Sequence, residues 1–290
     1  MGGVNTIDAT FRTKYADEFK MDYEISMAQL LRCVRSDGII NGDQCKFDVV
    51  DPGEEAVKKG RDGKIPTLQL GLSQVTATLD QDHAKYKIDN FDVFRGNPNV
   101  RTAMNVRGRN AINRKINQVI IDQLDTATNV INSGAAAALS SLAVVSSILK
   151  DLMGRNVPIG DGDVWGLITP NAWLQMCRIT DFKSSDYVND TGIVSKGPPG
   201  AGSGYEVRRW MGVNWMVCNQ LTGVGTASAK MYVFHKTALA HMIDGEPSPI
   251  LFDNTEDAYS GVRFEVTHCA KMCLQRGVSQ YLHDDTAAFA

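Results

Sequence analysis

The sequence has no surplus of positive charge. Thirty lysines and arginines stand against 33 acidic residues, a formal net charge of −3 at pH 7. A protein whose main task is gripping phosphates needs a cationic excess. The balance therefore argues against nucleic-acid binding as the principal task, and leaves room for local basic patches. Long apolar runs are lacking too. The longest uncharged stretch, Thr126 to Leu149, is rich in Thr, Asn, Ser and Ala and makes a poor membrane span. No basic segment followed by an apolar core opens the chain, so no secretory signal is visible. Met1-Gly2-Gly3-Val4-Asn5-Thr6 does fit the short and common myristoylation pattern. The six cysteines, at 33, 45, 177, 218, 269 and 273, include no Cys-x-x-Cys pair. Cys269 and Cys273 have His268 beside them but no second ligand pair near in sequence, so no metal is expected. The reading is reduced, mostly buried thiols in a protein made in a cytoplasm.

Catalytic signatures are also missing. There is no His-Glu-x-x-His and no Gly-x-Ser-x-Gly. The glycine run Gly197 to Gly204 lacks a Gly-Lys-Ser/Thr ending and no apolar strand feeds it, which argues against a phosphate loop. The five histidines (83, 235, 241, 268, 283) are scattered, and His235 and His241 are six apart, a spacing that suits neither one helix face nor a metal pair. Asp161 and Asp163 straddle Gly162 and read as turn-formers. No cofactor and no enzymatic activity are expected.

What is present is a folding composition: 290 residues, 43% apolar and 22% charged, enough for one large domain or two medium ones. No internal repeat is evident. Ala16 to Arg35 reads as helix, broken by Asp37-Gly38 and Asn41-Gly42. Cys45 to Val50 is a short strand ended by Asp51-Pro52-Gly53. Ser73 to Leu79 alternates, with Val75, Ala77 and Leu79 on one face, and extended character continues through Tyr86 and Ile88 to about Phe94. Between the two arms lies a polar stretch with three glycines, Gly53, Gly60 and Gly63. This is a long hairpin with a charged tip, and an isolated two-stranded ribbon is marginal in water. It needs another surface to lie on, and a second copy of the same chain supplies one. That points to an assembly subunit.

Asn99 is a plausible cap for a helix from Val100, with Ile112, Ile116, Val119, Ile120, Leu124 and Ala127 at helical spacing. Five basic residues, Arg101, Arg107, Arg109, Arg114 and Lys115, fall between Arg101 and Ile121 with no acidic one, while Asp122 and Asp125 follow at the C-terminal end. That order opposes the helix dipole and suggests a basic face kept for another purpose. Further on, the pattern predicts a helix over 139–152, a strand Val164 to Thr169, and a helix from Pro170 to about Arg178. Thr180 to Gly204 reads as loop. Trp210 to Cys218 and Lys230 to Phe234 read as strands, and Lys236 to Ile243 as helix. Glu246 to Asp257 reads as irregular. Tyr259 to Leu282 is a long strand or strand pair interrupted near Gly277. Strands and helices without strict βαβ alternation indicate α+β.

This order of parts resembles the major capsid proteins of tailed bacteriophages, the HK97-like fold. The resemblance covers nearly the whole chain. It lies in organisation and in local steps such as Val164-Trp165-Gly166-Leu167-Ile168-Thr169-Pro170-Asn171-Ala172-Trp173 and Tyr205 to Cys218, with no single diagnostic motif. It implies an N-terminal arm and helix over 1–40, an extended E-loop hairpin over 41–95, and a peripheral domain with spine helix over 96–132. An axial domain over 133–245 and return strands of the peripheral domain over 246–290 complete it.

The implied function is a shell of pentamers and hexamers, icosahedral, enclosing double-stranded DNA held by weak non-specific contacts. The implied location is the virion capsid, assembled in the host bacterial cytoplasm. The short start leaves no room for a scaffolding region, so a separate scaffolding protein is expected, with a portal and a possible decoration protein. The E-loop tip, Lys58, Lys59, Arg61, Asp62 and Lys64, would touch a neighbouring subunit. Some family members crosslink through a hairpin lysine, a role open to Lys58, Lys59 and Lys64. Asp181, Lys183, Asp186 and Asp190 would lie in a loop at the capsomer axis. Gly108, inside the spine helix, is a hinge candidate, with close packing against a neighbouring backbone as the alternative. An encapsulin-like compartment with the same fold, or a cytoplasmic enzyme of unknown chemistry, are the competing functions.

Overall fold

The computed structural model describes residues 27–50, 55–59, 61, 63, 65, 67–68, 70–89, 100–132, 136–183 and 207–288. The first strands form the ribbon. β1 (Ile39–Asn41), β2 (Gln44–Val50) and β3 (Leu72–Thr78) make an antiparallel sheet in that order, with Cys45 opposite Ala77 and Phe47 opposite Val75. Alternation assigns the two faces: Cys45, Phe47 and Val49 are buried, while Lys46 is only half-covered and Asp48 is exposed.

β4 (Asp80–Asp89) leaves the ribbon. It pairs antiparallel with β10 (Tyr259–Met272), whose other edge carries β9 (Leu239–Asn254). The last part of the 41–95 segment thus belongs to a second sheet, ordered β4-β10-β9. Across that sheet lies α1 (Val100–Leu124). Ile112, Ile116, Ile120 and Leu124 recur every four residues, which stacks them along one side of a helix. They are buried in one core with Val262, Phe264 and Val266 of β10. Burying each such side chain is worth about 1.5–3 kcal/mol, so β-branched isoleucines hold a helix despite their modest propensity. Asn117, also buried, accepts from the Leu30 amide (3.2 Å) and donates to the Met27 carbonyl (3.3 Å) and to Gln220 Oε1 (3.2 Å). It fastens the segment before the ribbon to the helix.

The remaining elements build a five-stranded sheet flanked by helices. α2 (Leu142–Gly154), β5 (Val164–Ile168), α3 (Pro170–Met176) and α4 (Thr180–Lys183) precede β6 (Val207–Trp210), β7 (Val213–Val217) and β8 (Ala229–His235), and β11 (Val278–His283) closes the set. The order is β11-β8-β5-β7-β6, with only β5 and β7 parallel. Alternate residues serve two cores. Met231 and Val233 of β8 face the core under α2 and α3, while Tyr232 and Phe234 face the core under α1. A strand covered on both faces reads as a continuous apolar run, which is why Val164 to Ile168 was legible. Thr169 caps α3, its Oγ1 accepting from the Ala172 amide at 3.1 Å, with Pro170 in the first turn.

Several sequence expectations are corrected. Lys236 to Ile243 is not a helix: a short 3-10 turn, Lys236–Ala238, leads straight into β9. Glu246 to Asp257 is not irregular as far as Asn254, because β9 runs through it. Trp210 to Cys218 is a hairpin of two strands turning at Met211-Gly212. Within Ala16 to Arg35, the described part holds a 3-10 turn, Gln29–Cys33, in place of α-helix. The residues of that segment before 27, and Asn99, lie outside the described residues.

Candidate assembly surfaces

The ribbon presents apolar and basic side chains together. Val57, Lys58, Lys59 and Arg61 are exposed, and Asp62 and Lys64 lie outside the described residues. Along the shank Ile65, Leu70 and Leu72 are 76%, 68% and 71% exposed, with Val50 and Leu68 also uncovered. Among the described residues of the ribbon, the packed ones are at the root. There Cys45, Phe47 and Ala77 join Ala240 and Cys269 in a third, small core. The described apolar side chains of the shank are thus left uncovered by the subunit itself.

On α1, Arg107, Arg109 and Lys115 are exposed and Arg114 is half-covered; the Arg101 side chain lies outside the described residues. Arg107 and Arg114 are seven residues apart and share a side, but two positions turn a helix by about 200°. Arg107 and Arg109 therefore leave the axis in nearly opposite directions. Lys115 Nζ is 3.9 Å from Asp82 Oδ1 on β4, a pair of little energetic weight at a surface. Asp125, which looked misplaced at the end of the helix, ties that end to the five-stranded sheet. Its carboxylate accepts from the Thr222 hydroxyl (2.6 Å), from Lys230 Nζ (3.2 Å) and from the buried Tyr232 hydroxyl. Burial, then the adjacent carboxylate, raises the Tyr232 phenol far above its ordinary range, so it stays a donor.

Gly108 is in contact with the strand below. A Cβ there would stand 2.3 Å from the Phe264 ring. Of the axis-loop residues, Asp181 is half-buried in α4 and Lys183 ends that helix, while Asp186 and Asp190 lie outside the described residues. His268 and Cys269 project from opposite faces of β10. The His268 ring is committed to His241 (3.1 Å) and to Asp82 (2.9 Å). Among the described residues no group of three or more His, Cys, Asp or Glu is placed to hold a metal ion.

Sequence reasoning missed a recess of about 80 Å³ at the far end of the β9–β10 hairpin, beside the start of α1. Met104, Val262 and an exposed Leu251 line it, Asp253 is on its wall, and the buried Ser260 hydroxyl in it has no hydrogen-bond partner among the described residues. The segment looked irregular because it contains Gly245, Pro247 and Pro249, so its alternation was hidden.

A family model for "phage capsid protein" matches residues 7–260. No curated protein matches in sequence. Among solved structures, a chain from Mycobacterium phage Che8 is similar with a TM-score of 0.68 at 15% identity, covering 96% of this chain and 98% of that one. A chain from the capsid of Cyanophage P-SCSP1u gives 0.66 at 16% identity, covering 98% and 96%. The capsid asymmetric unit of Cyanophage Pam1 gives 0.70 at 10% identity, covering 99% and 100%. At these identities the structures speak for the fold, an HK97-like mixture of helix and sheet along the full length. The family match, spanning most of the sequence, carries the assignment: this chain belongs to the phage capsid protein family and is a major capsid protein.

Proposed function

We propose that copies of this chain associate as pentamers and hexamers and close into an icosahedral shell around double-stranded DNA. In that shell the ribbon of each subunit lies on the next. The observation that carries the reading is the uncovered row Ile65, Leu68, Leu70 and Leu72 beside Lys58, Lys59 and Arg61. A lone ribbon does not stabilise such a surface, and contact with a second copy does. A candidate seat is the recess at Met104 and Leu251, where Asp253 offers charge of the opposite sign. In this reading α1 with the β4-β10-β9 sheet forms the peripheral domain, the five-stranded sheet with its helices, β11 included, forms the axial domain, and the segment holding Asp181 and Lys183 approaches the capsomer axis. Near-neutral overall charge suits a shell that holds its genome loosely. Assembly takes place in the host cytoplasm with a separate scaffolding protein and a portal.

The test is electron microscopy of the protein expressed alone and with candidate scaffolding partners. Closed shells or capsomer rings are expected. A uniform small oligomer under every condition would overturn the reading, and shells that load an enzyme through a peptide without a portal would favour a compartment.

A further inference from the structure

The root of the ribbon holds two thiols to which assembly gives no role. Cys45 is on β2, opposite Ala77, and Cys269 is on β10, opposite Met242. The two strands belong to different sheets. Their side chains nevertheless share one small core: both are buried there with Phe47, Ala77 and Ala240. The backbone crowds them. A Cβ added at Gly38 would stand 2.5 Å from the Cys45 sulfur, so nothing larger than glycine fits behind that side chain. A third thiol, Cys273, packs on the same core but is half-exposed and donates to the Lys271 carbonyl at 3.7 Å. Arg35 donates to the Asp48 carbonyl of β2 at 3.2 Å. Two buried thiols in one small core, one on the ribbon and one on the body, are placed where a covalent bond would fix the ribbon's angle.

We propose that Cys45 and Cys269 form a reversible dithiol–disulfide pair that clamps the ribbon to the body of the subunit. The oxidant is a low-molecular-weight disulfide such as oxidised glutathione. One cysteine thiolate attacks a glutathione sulfur, forming a mixed disulfide and releasing one glutathione thiol. The second cysteine then displaces the other glutathione, forming the Cys45–Cys269 bond. The two cysteine protons and two electrons end on two glutathione thiols. Burial raises both cysteines, Cys269 to about 12, so the closed root holds almost no thiolate and reacts only when it opens. In a reducing cytoplasm the pair stays as thiols and the ribbon stays adjustable. In oxidising surroundings the bond accumulates and the angle is set. The consequence for a shell rests on the assembly reading above; the chemistry of the pair does not.

The test is refolding of the full chain from urea in a glutathione redox buffer, so that burial does not limit the reaction. Non-reducing digestion and mass spectrometry then identify the linked peptides. A peptide joining Cys45 to Cys269 is expected, absent from Cys45→Ser and Cys269→Ser and present in Cys273→Ser. The thermal midpoint of the oxidised wild type should rise by roughly 5 °C and fall back with dithiothreitol. No link at equilibrium, a link through Cys273 in its place, or an unchanged or lower midpoint overturns the proposal. Should a serine variant fail to fold, the wild type with and without reductant decides alone. Subunits that form the link but never a shell would sink the assembly reading and leave the clamp standing.

Discussion

Gly108 shows how one absent carbon sets a helix on a sheet. Phe264 rises from β10 into the space a Cβ would occupy, 2.3 Å from where that carbon would sit. Alanine would gain about 1 kcal/mol of helix propensity there. Overpacking a buried ring costs about 1–3 kcal/mol, and Phe264 is buried. Gly108→Ala should therefore lower stability by about 1 kcal/mol, and adding Phe264→Leu should recover most of it, read from urea midpoints. A stabilised Gly108→Ala would show that the ring yields freely. Packing thus accounts for the glycine without a bend, and a bend remains a separate proposal. Shells of Gly108→Ala/Phe264→Leu that mature like wild type would remove it. Met211 is the opposite case, a side chain where little is wanted. With Gly212 it forms the β6–β7 turn at φ of 51° and 78°, the left-handed pair of a type I′ hairpin. Asparagine tolerates that geometry better. Met211→Asn should raise stability by about 0.5–1 kcal/mol, seen as a higher thermal midpoint.

At the scale of elements, the β4-β10-β9 sheet is crossed by a chain of polar groups beneath α1. Asp82, His268 and His241 come from the three strands in turn. Burial, and then the neighbouring His268, depresses His241 to about 4, against an ordinary 6.5. The unfolded chain takes up a proton at that position near pH 6.5, whereas the folded one resists until about pH 4. Its contribution to stability is complete above pH 6.5, falls as pH drops through that window, and levels off below about 4. The ceiling is about 3 kcal/mol. His241→Gln should flatten the difference between urea midpoints at pH 7 and pH 4.5; an unchanged slope would place the sensitivity elsewhere. The same sheet marks the limit of sequence reading. β10 and the two ribbon strands were legible because apolar and polar residues alternate or run together. β9 was not. Leu239, Ala240, Met242 and Ile243 include good helix formers, and Gly245, Pro247 and Pro249 look like loop. The prolines fit because β9 is an edge strand, with a free side for residues that cannot donate. Gly245, at a φ of 81°, falls where the register shifts between Glu265 and Thr267. Pairing with a distant strand, invisible in local pattern, decided that segment. It also created the recess at Leu251, which no spacing foretold.

For the molecule as a whole, what the subunit leaves unburied matters as much as its cores. Among the described residues, three buried clusters account for α1, the two sheets and the ribbon root, and the described part of the shank belongs to none of them. A monomer gains nothing from leucines at 70 and 72, which touch solvent over most of their surface. Replacing them should therefore leave the subunit's stability within about 0.5 kcal/mol, the range of ordinary surface changes. If the row is the seat of a second copy, the same change puts two carboxylates into a dry contact, where unpaired charge is costly. Leu70→Glu/Leu72→Glu should keep the wild-type circular dichroism spectrum and thermal midpoint of the dissociated subunit while closed shells disappear from sedimentation profiles and micrographs. Leu70→Ala/Leu72→Ala should assemble more weakly than wild type but better than the charged pair, since it removes area without adding charge. Wild-type shell yields from the glutamate variant would mean that the ribbon's apolar row faces solvent in the particle, and the contact between copies would have to be sought on α1 or at the axis.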